Sequence, residues 1–445
     1  MKITHLSNSF IVIEINGIKI CCDPWVGKAN YGGWHSFPEF DKNGLMNYLN
    51  DVDIVYISHL HDDHLDTDFL IESKLFEKGF IIKNFKFKTL LNKLKFIGVQ
   101  NISELEPFEI FLWKGVHFSI LPQMSTNSDD LDEDVEYDLD TSLIVSHGKN
   151  VFFNQVDNPY STSDYLKLKN WIETNYGKIT IAALMAGAAS EYPHLFLNIN
   201  RISEKKVIVE NSLKRLVEKL NILNPDYYFP AGGTYIIPGK FNVLNSLIAQ
   251  PTIFEIQEVL KTSDIRTKFL FLEGGNSVEF KSDNNESIVL SNVVSPESID
   301  KIFSIDNHKY DSYDYENEIN DLSFDKVTSL FERAKRNWED MILKLNIDVE
   351  QDVFFILYRD LELNNDGNSI SSNSIGELEI KSNLIKSKGR LVIHIDLRAF
   401  YLCLIRKKVW NGTIGALCLF ERVPNIFYPN VTFSLNYLVV NDFNK

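Results

Sequence analysis

His59, His61, Asp63 and His64 fall within six residues of one another in the run Ser58-His59-Leu60-His61-Asp62-Asp63-His64-Leu65-Asp66, directly after the apolar stretch Val52-Asp53-Ile54-Val55-Tyr56-Ile57. A buried strand ending in a sharp turn lets His59 and His61 point one way and hold one ion. Asp63 and His64 then swing to the other side and hold a second. Imidazole with carboxylate suits zinc, iron or manganese, and a site short of protein ligands keeps positions open for water or substrate. The competing reading is an acidic helix N-terminus, since Asp62, Asp63 and Asp66 would favour the start of a helix over Thr67 to Glu77. The strand-then-loop context favours the dinuclear site.

The elements that must position these groups alternate between strand and helix over the first 280 residues. Phe10 to Ile15 and Ile18 to Cys22 flank Asn16-Gly17, a two-residue turn that needs positive φ, so a β-hairpin opens the fold. Short strands are expected at Phe108 to Trp113, His117 to Leu121, Ser142 to Val145, Val151 to Val156 and Lys178 to Met185. Ser161-Thr162-Ser163-Asp164 starts a helix with capping-box chemistry, and Ser203 to Leu223 makes a long amphipathic helix ending at Pro225. This order fits two sheets between helical layers. A polar stretch, Lys281-Ser282-Asp283-Asn284-Asn285-Glu286-Ser287, marks the boundary, giving a catalytic domain over 1–282, a linker over 283–300 and a smaller α+β module over 301–445. In that module Phe324 to Leu345 is helical with Trp338 on its apolar face, and strands are expected at Val353 to Tyr358, Ile375 to Ile380 and Leu391 to Ile395.

At 445 residues, with 44% hydrophobic and 24% charged residues, the chain can bury real cores. A formal charge of -16 argues against nucleic acid and against an anionic membrane surface. Cys21 and Cys22 are neighbours in a strand pattern, and Cys403 and Cys418 lie far away, so no disulfide framework or C-x-x-C knuckle is expected. Without a signal-like start or an apolar run of membrane-spanning length, the expected compartment is the cytoplasm.

The H-x-H-x-D-H run resembles the signature of the metallo-β-lactamase superfamily, which implies an αββα sandwich. A narrower resemblance rests on Asp23-Pro24-Trp25, Tyr31-Gly32-Gly33-Trp34, Tyr56-Ile57-Ser58-His59-Leu60-His61, Asp140-Thr141-Ser142, Val156-Asp157, Ala186-Gly187-Ala188-Ala189-Ser190-Glu191-Tyr192-Pro193 and Phe229-Pro230-Ala231-Gly232. In that order and at similar intervals they are similar to the catalytic part of CMP-N-acetylneuraminate hydroxylases, iron-dependent oxygenases that also carry a Rieske domain. None of the four cysteines here has the C-x-H or C-x-x-H neighbour that a Rieske centre needs. The resemblance therefore implies electrons from a separate protein or from the substrate.

The resemblance also implies His59 and His61 on one metal, Asp63 and His64 on the other, and Asp157 as a bridging carboxylate. Two histidines usual in the superfamily have no counterpart. After Leu121-Pro122 comes an acidic loop with Glu133, Asp134, Glu136, Asp138 and Asp140, of which Glu136 sits nearest the position that would close the first site. Members other than Glu136 and Asp140 are read as solvated. After Ala231-Gly232 come Tyr235, Pro238 and Lys240. Trp25, Trp34, His194 and Tyr235 are candidate substrate contacts, although large aromatics are more often core and a lone His more often structural. Gly187, Gly232 and Gly233 could open an oxyanion-binding turn or simply serve backbone geometry. Arg201, Lys205 and Lys206 could meet an anion or form a solvated face.

Three functional readings follow. In the first, two irons activate dioxygen and a small polar, anionic substrate is oxidised. In the second, zinc or manganese lowers the pKa of a bound water and an ester, lactone or phosphodiester is hydrolysed, as in the superfamily's lactonase and phospholipase D branches. The third is a binding or scaffold protein with a degenerate site. The ordered matches and the shift from imidazole to carboxylate rank the oxygenase first. The C-terminal module carries no catalytic constellation; Asp396-Leu397-Arg398-Ala399-Phe400 and Trp410-Asn411-Gly412 resemble sterol-carrier-like appendages, and roofing the pocket, binding an apolar group and a dimer contact are its open roles beside plain packing.

Overall fold

A computed structural model describes residues 1–124, 139–187, 189–272, 274–280, 287–290, 313–319 and 321–440. Two sheets lie face to face. The first has eight strands, with Lys2–Ser7 between Asn276–Phe280 and the Phe10–Ile15/Ile18–Cys22 hairpin, followed in parallel by Ile54–Tyr56, Gly79–Lys83 and Asn101–Leu105. The second has seven, running from Phe111–Trp113 through Val116–Pro122, Thr141–His147, Asn150–Asn154, Ile181–Leu184 and Tyr227–Pro230 to Lys268–Phe269.

Period-two alternation builds the layers. Ile11, Ile13, Ile18, Ile20 and Tyr56 of the first sheet pack against Phe118, Ile120, Leu143, Phe152 and Phe229 of the second. Their sequence neighbours Phe10, Val12, Cys21 and Val55 point outward under the helices Lys42–Leu49, Thr67–Glu72 and Thr89–Phe96. Ile144, Phe153, Ala182 and Tyr228 do the same under Thr162–Asn175, Arg201–Leu223 and Ile253–Thr262. Strands covered on both faces read as near-continuous apolar runs, which is why the sequence shows them clearly. The result is the αββα sandwich. Asn16 and Gly17 have φ of 49° and 74°, as the hairpin turn requires.

Some boundaries differ from expectation. The strand expected from Phe108 begins only at Phe111, because Phe108 itself turns the chain with φ of 65°. The helix expected over Thr67 to Glu77 stops at Glu72, and Lys74, at φ of 60°, separates it from a short 3-10 turn at Leu75–Glu77. The linker expected over 283–300 contains a strand, Ser287–Leu290, that pairs with Asn276–Phe280 and extends the first sheet. Its short Ile-Val-Leu run is a strand signal that the polar flanks obscure, and the rest of that interval lies outside the described residues.

The later residues form a four-stranded sheet, in the order Ser374–Ile380, Asp352–Tyr358, Arg390–Asp396, Cys418–Val423, against the amphipathic helix Phe324–Lys344, whose Trp338 is buried. This sheet is tied to the sandwich. Leu197 N–H donates to Phe420 O at 2.8 Å and Phe420 N–H to Leu195 O at 2.8 Å. The helix Trp410–Leu417 packs on the loop before Trp34, so closely that a Cβ on Gly33 would stand 2.5 Å from Ala416 Cβ and one on Gly412 2.7 Å from Asn30 Oδ1. No helix among the described residues is long and apolar enough to cross a membrane.

Candidate metal centre

The centre forms where strands of both sheets end. Cys22 and Tyr56 are register partners on adjacent parallel strands, so the residues that follow, Asp23 and the Ser58–His64 loop, leave the sheet side by side. Asp23 accepts from Ser58 N–H at 2.8 Å and from Ser58 Oγ at 2.7 Å, and its Oδ2 lies 3.2 Å from His64 Nδ1. Ser58 Oγ is also 2.8 Å from His59 Nδ1. With Nδ1 of both rings engaged from behind, both Nε2 atoms are left to face the centre, an outer-shell arrangement that fixes ring orientation.

His59 Nε2 lies 3.0 Å from His61 Nδ1 and 3.4 Å from Asp140 Oδ1. His64 Nε2 lies 3.3 Å from Asp157 Oδ2 and 3.5 Å from Asp63 Oδ2. Two sets of donors therefore gather within 4.8 Å: His59, His61 and Asp140, and His59, His64 and Asp157. His59 belongs to both, whereas the sequence pattern assigns it to one ion alone. Asp63 joins the second set through His64, and Asn8 Nδ2 donates to its Oδ2 at 3.3 Å.

Burial disfavours a proton on His59, as do His64 and His61 beside it, and its pKa falls well below the ordinary imidazole value. Burial opposes charge on His64 too, but Asp63, Asp157 and Asp23 outweigh it and its pKa rises well above that value. Carboxylates that favour a proton there favour a divalent cation among them for the same reason. Burial raises the pKa of Asp23, with His64 and Ser58 pulling the other way. His64 Nε2 and Asp157 Oδ1 are buried without a hydrogen-bond partner among the described residues. Three imidazoles and three carboxylates converging in this way fit one or two first-row metal ions.

Asp140, directly before the strand Thr141–His147, stands where the first set closes; Glu136, the expected residue, lies outside the described residues. Asp66 does serve as a helix cap, its Oδ1 accepting from Phe69 N–H at 2.9 Å, so the competing reading of the acidic run holds for that residue and not for Asp63. The segment after Ala231-Gly232 holds no histidine, and Gly232, at φ of 94°, packs so close to the centre that an added Cβ would stand 2.9 Å from Asp157 Oδ1.

A cavity of about 210 Å³ opens over the donors. Its walls are Asn30, Trp34, His61, Asp63, Asp140, Asp157, Met185, Ala189, Ser190, Glu191, Asn411, Gly412 and Gly415. Of the expected substrate contacts only Trp34 is among them. Tyr235 stacks behind Trp34 with ring centroids 4.0 Å apart, Trp25 is buried in the core shared with the C-terminal sheet, and His194 is buried with its ring 6.5 Å from Tyr235. Arg201, a candidate anion contact, instead donates to His194 O at 3.2 Å and Gly367 O at 2.7 Å.

Sequence reasoning missed Asn411. Its amide lies 3.4 Å from His61 Nε2, and the helix that carries it, with Gly412 and Gly415, roofs the cavity. Of the roles open to the C-terminal module, this one has the contacts. Asp23 was visible only as a matched motif; its place at the end of a strand parallel to the metal-loop strand is the signal that could have given its role.

Residues 2–129 match the model of the β-lactamase superfamily domain. A putative Rieske 2Fe-2S iron-sulfur protein of Mycolicibacterium smegmatis is 25% identical over 240 residues, 54% of this chain and 43% of that protein. The cytidine monophosphate-N-acetylneuraminic acid hydroxylase of Xenopus laevis is 26% identical over 251 residues, 53% of this chain and 38% of that protein. The chain thus aligns with less than half the length of these relatives. Among solved structures, CmlA, a diiron β-hydroxylase from Streptomyces venezuelae, has a TM-score of 0.39 at 13% identity, covering 65% of this chain and 54% of its own. An isothiocyanate hydrolase from Delia radicum gut bacteria has 0.41 at 15% identity, covering 66% and 100%.

Proposed function

We propose that this metallo-β-lactamase-fold protein is a dinuclear iron oxygenase that oxidises a small polar substrate and draws its electrons from a separate donor protein. The observation that carries the reading is the donor set. Three of the six converging side chains, Asp63, Asp140 and Asp157, are carboxylates, a harder shell than the all-imidazole set and closer to the needs of iron or manganese than of zinc. The relatives, a hydroxylase and a putative Rieske iron-sulfur protein, support the same choice.

His59, His61 and Asp140 would hold one ion, and His64, Asp63 and Asp157 the other. Bound iron supplies the one-electron chemistry that dioxygen requires and no side chain of this cavity provides. The chain's own part is positioning. Asp23 and Ser58 fix the orientation of His64 and His59 from behind. Trp34, Met185 and the glycine face of the roof helix line the cavity and restrict water at the donors.

The test is metal dependence. Protein purified without oxygen should contain iron, and its reduced form should consume dioxygen with substrate. Zinc replacement should end turnover, because zinc has no accessible redox change. Zinc-loaded protein that cleaves lactone or phosphodiester substrates anaerobically, with no iron in the native protein, would establish the hydrolase instead.

A further inference from the structure

Asn8 stands at the corner between Lys2–Ser7 and Phe10–Ile15, buried and in the left-handed region at φ of 42°. Its carboxamide joins two further loops. Nδ2 donates to Asp63 Oδ2 at 3.3 Å and to Asp63 O at 3.4 Å, while Oδ1 accepts from Thr234 N–H at 3.1 Å. Only this sense of the amide works, because turning it over would set its NH2 against the Thr234 N–H and its oxygen against a carboxylate. The backbone is held as well: Asn8 N–H donates to Thr234 Oγ1 at 3.1 Å, and Asn8 O accepts from Gly232 N–H at 3.0 Å. Aspartate tolerates the same φ but offers acceptors alone, and glycine tolerates it with no side chain. Among the described residues, none of these bonds reaches His59, His61 or Asp140.

Resting on the two-ion reading of the centre, we propose that Asn8 is a positioning residue for one ion alone, the one on His64, Asp63 and Asp157, and leaves the ion on His59, His61 and Asp140 untouched. Asp63 belongs to the histidine loop of the first sheet, and Asp157 follows the strand Asn150–Asn154 of the second. Asn8 spans the gap between them. Its side chain holds Asp63, and its carbonyl holds Gly232, whose missing Cβ would stand 2.9 Å from Asp157 Oδ1. It thereby fixes the spacing of the two carboxylates that face His64 Nε2, at 3.5 Å for Asp63 and 3.3 Å for Asp157. Outer partners that orient a ligating carboxylate tune the ion behind it, and here the effect is confined to one side of the centre.

The test is a zinc titration of the metal-free full chain against a competing chelator, in wild type, Asn8→Gly and Thr234→Val. Asn8→Gly suits the backbone angle and removes the carboxamide; Thr234→Val removes the acceptor of the Asn8 N–H and spares the bonds to Asp63. In Asn8→Gly one equivalent should weaken by about 10–100-fold and the other by less than about twofold. In Thr234→Val both should stay within about twofold of wild type. Asn8→Ser, whose hydroxyl is too short to reach Asp63, should repeat the Asn8→Gly result and replaces it should the glycine variant not fold. The proposal is overturned if both equivalents weaken together, if neither does, if Thr234→Val has the same effect, or if neither Asn8 variant folds. Those results leave the two-ion reading standing. Wild-type protein that takes up no zinc, or a single equivalent, would remove that reading and this inference with it.

Discussion

Asn411 reaches His61 across 350 positions of sequence: its carboxamide nitrogen lies 3.4 Å from His61 Nε2, while His61 Nδ1 faces His59. A residue of the helix Trp410–Leu417 thus stands against an imidazole of the N-terminal loop. Replacing it with alanine should weaken metal affinity or activity by about 10–100-fold, the usual effect of losing an outer-shell partner. Chelator competition on the folded variant checks this; an unchanged affinity would reduce the contact to packing.

Asp140 and Glu136 make opposite predictions. Asp140→Ala should lose one equivalent of metal and most activity with little change in folding, because open catalytic sites contribute less folding energy than closed structural ones. Glu136→Ala should retain both. Metal analysis of the two purified variants decides between them, and the reverse outcome would move the ligand into the acidic loop. His61→Ala should behave as Asp140→Ala does.

Gly33 tests the seating of the roof. Its backbone is in the ordinary helical region, with φ of -78°, so alanine adds no backbone strain, but the new methyl would stand 2.5 Å from Ala416 Cβ and 3.1 Å from Ala416 O. The roof helix must retreat. Gly33→Ala should cost about 1–3 kcal/mol of stability, and thermal unfolding measures it. The same displacement should carry Asn411 away from His61 and reproduce part of the Asn411→Ala effect on metal affinity; a stable variant with native affinity would show that the roof tolerates movement.

His194 predicts a pH dependence. Burial, with Arg201 nearby, depresses its pKa to about 3. An imidazole depressed on folding stays neutral in the native state while the unfolded chain takes up a proton below about pH 6.5, so stability falls as pH drops from there toward 3. The slope from this residue is about 1.4 kcal/mol per pH unit across the window. His194→Leu should flatten the curve between pH 6 and 4 relative to wild type at equal metal content; parallel curves would mean that the ring is protonated in the folded protein.

The legible parts of the molecule were those written in local pattern. The hairpin around Asn16-Gly17, the capping box at Ser161 and the long helix to Leu223 each rest on interactions within a few residues, and each stands near its expected bounds. The histidine run was legible because a strand end delivers all four side chains at once. Asp140 and Glu136 belong to one acidic run where sequence distance gives no ranking; the register of Thr141–His147 against its neighbours brings Asp140 to His59, while Glu136 lies outside the described residues. Asn411 had no local signal at all, since its importance comes from the packing of Gly33 on Ala416 and Asn30 on Gly412.

The 350 residues between His61 and Asn411 also impose an order in time. A ribosome working at about 5–20 residues per second exposes the histidine loop roughly 20–70 s before the roof helix exists. Throughout that interval the nascent chain holds the imidazoles without the group that steadies one of them and without the wall that keeps water away. A product cut short before Trp410 would lack Asn411, Gly412 and Gly415 and leave the donors under an open wall. The wall over the histidine loop is thus assembled only after the helix Trp410–Leu417 has been made.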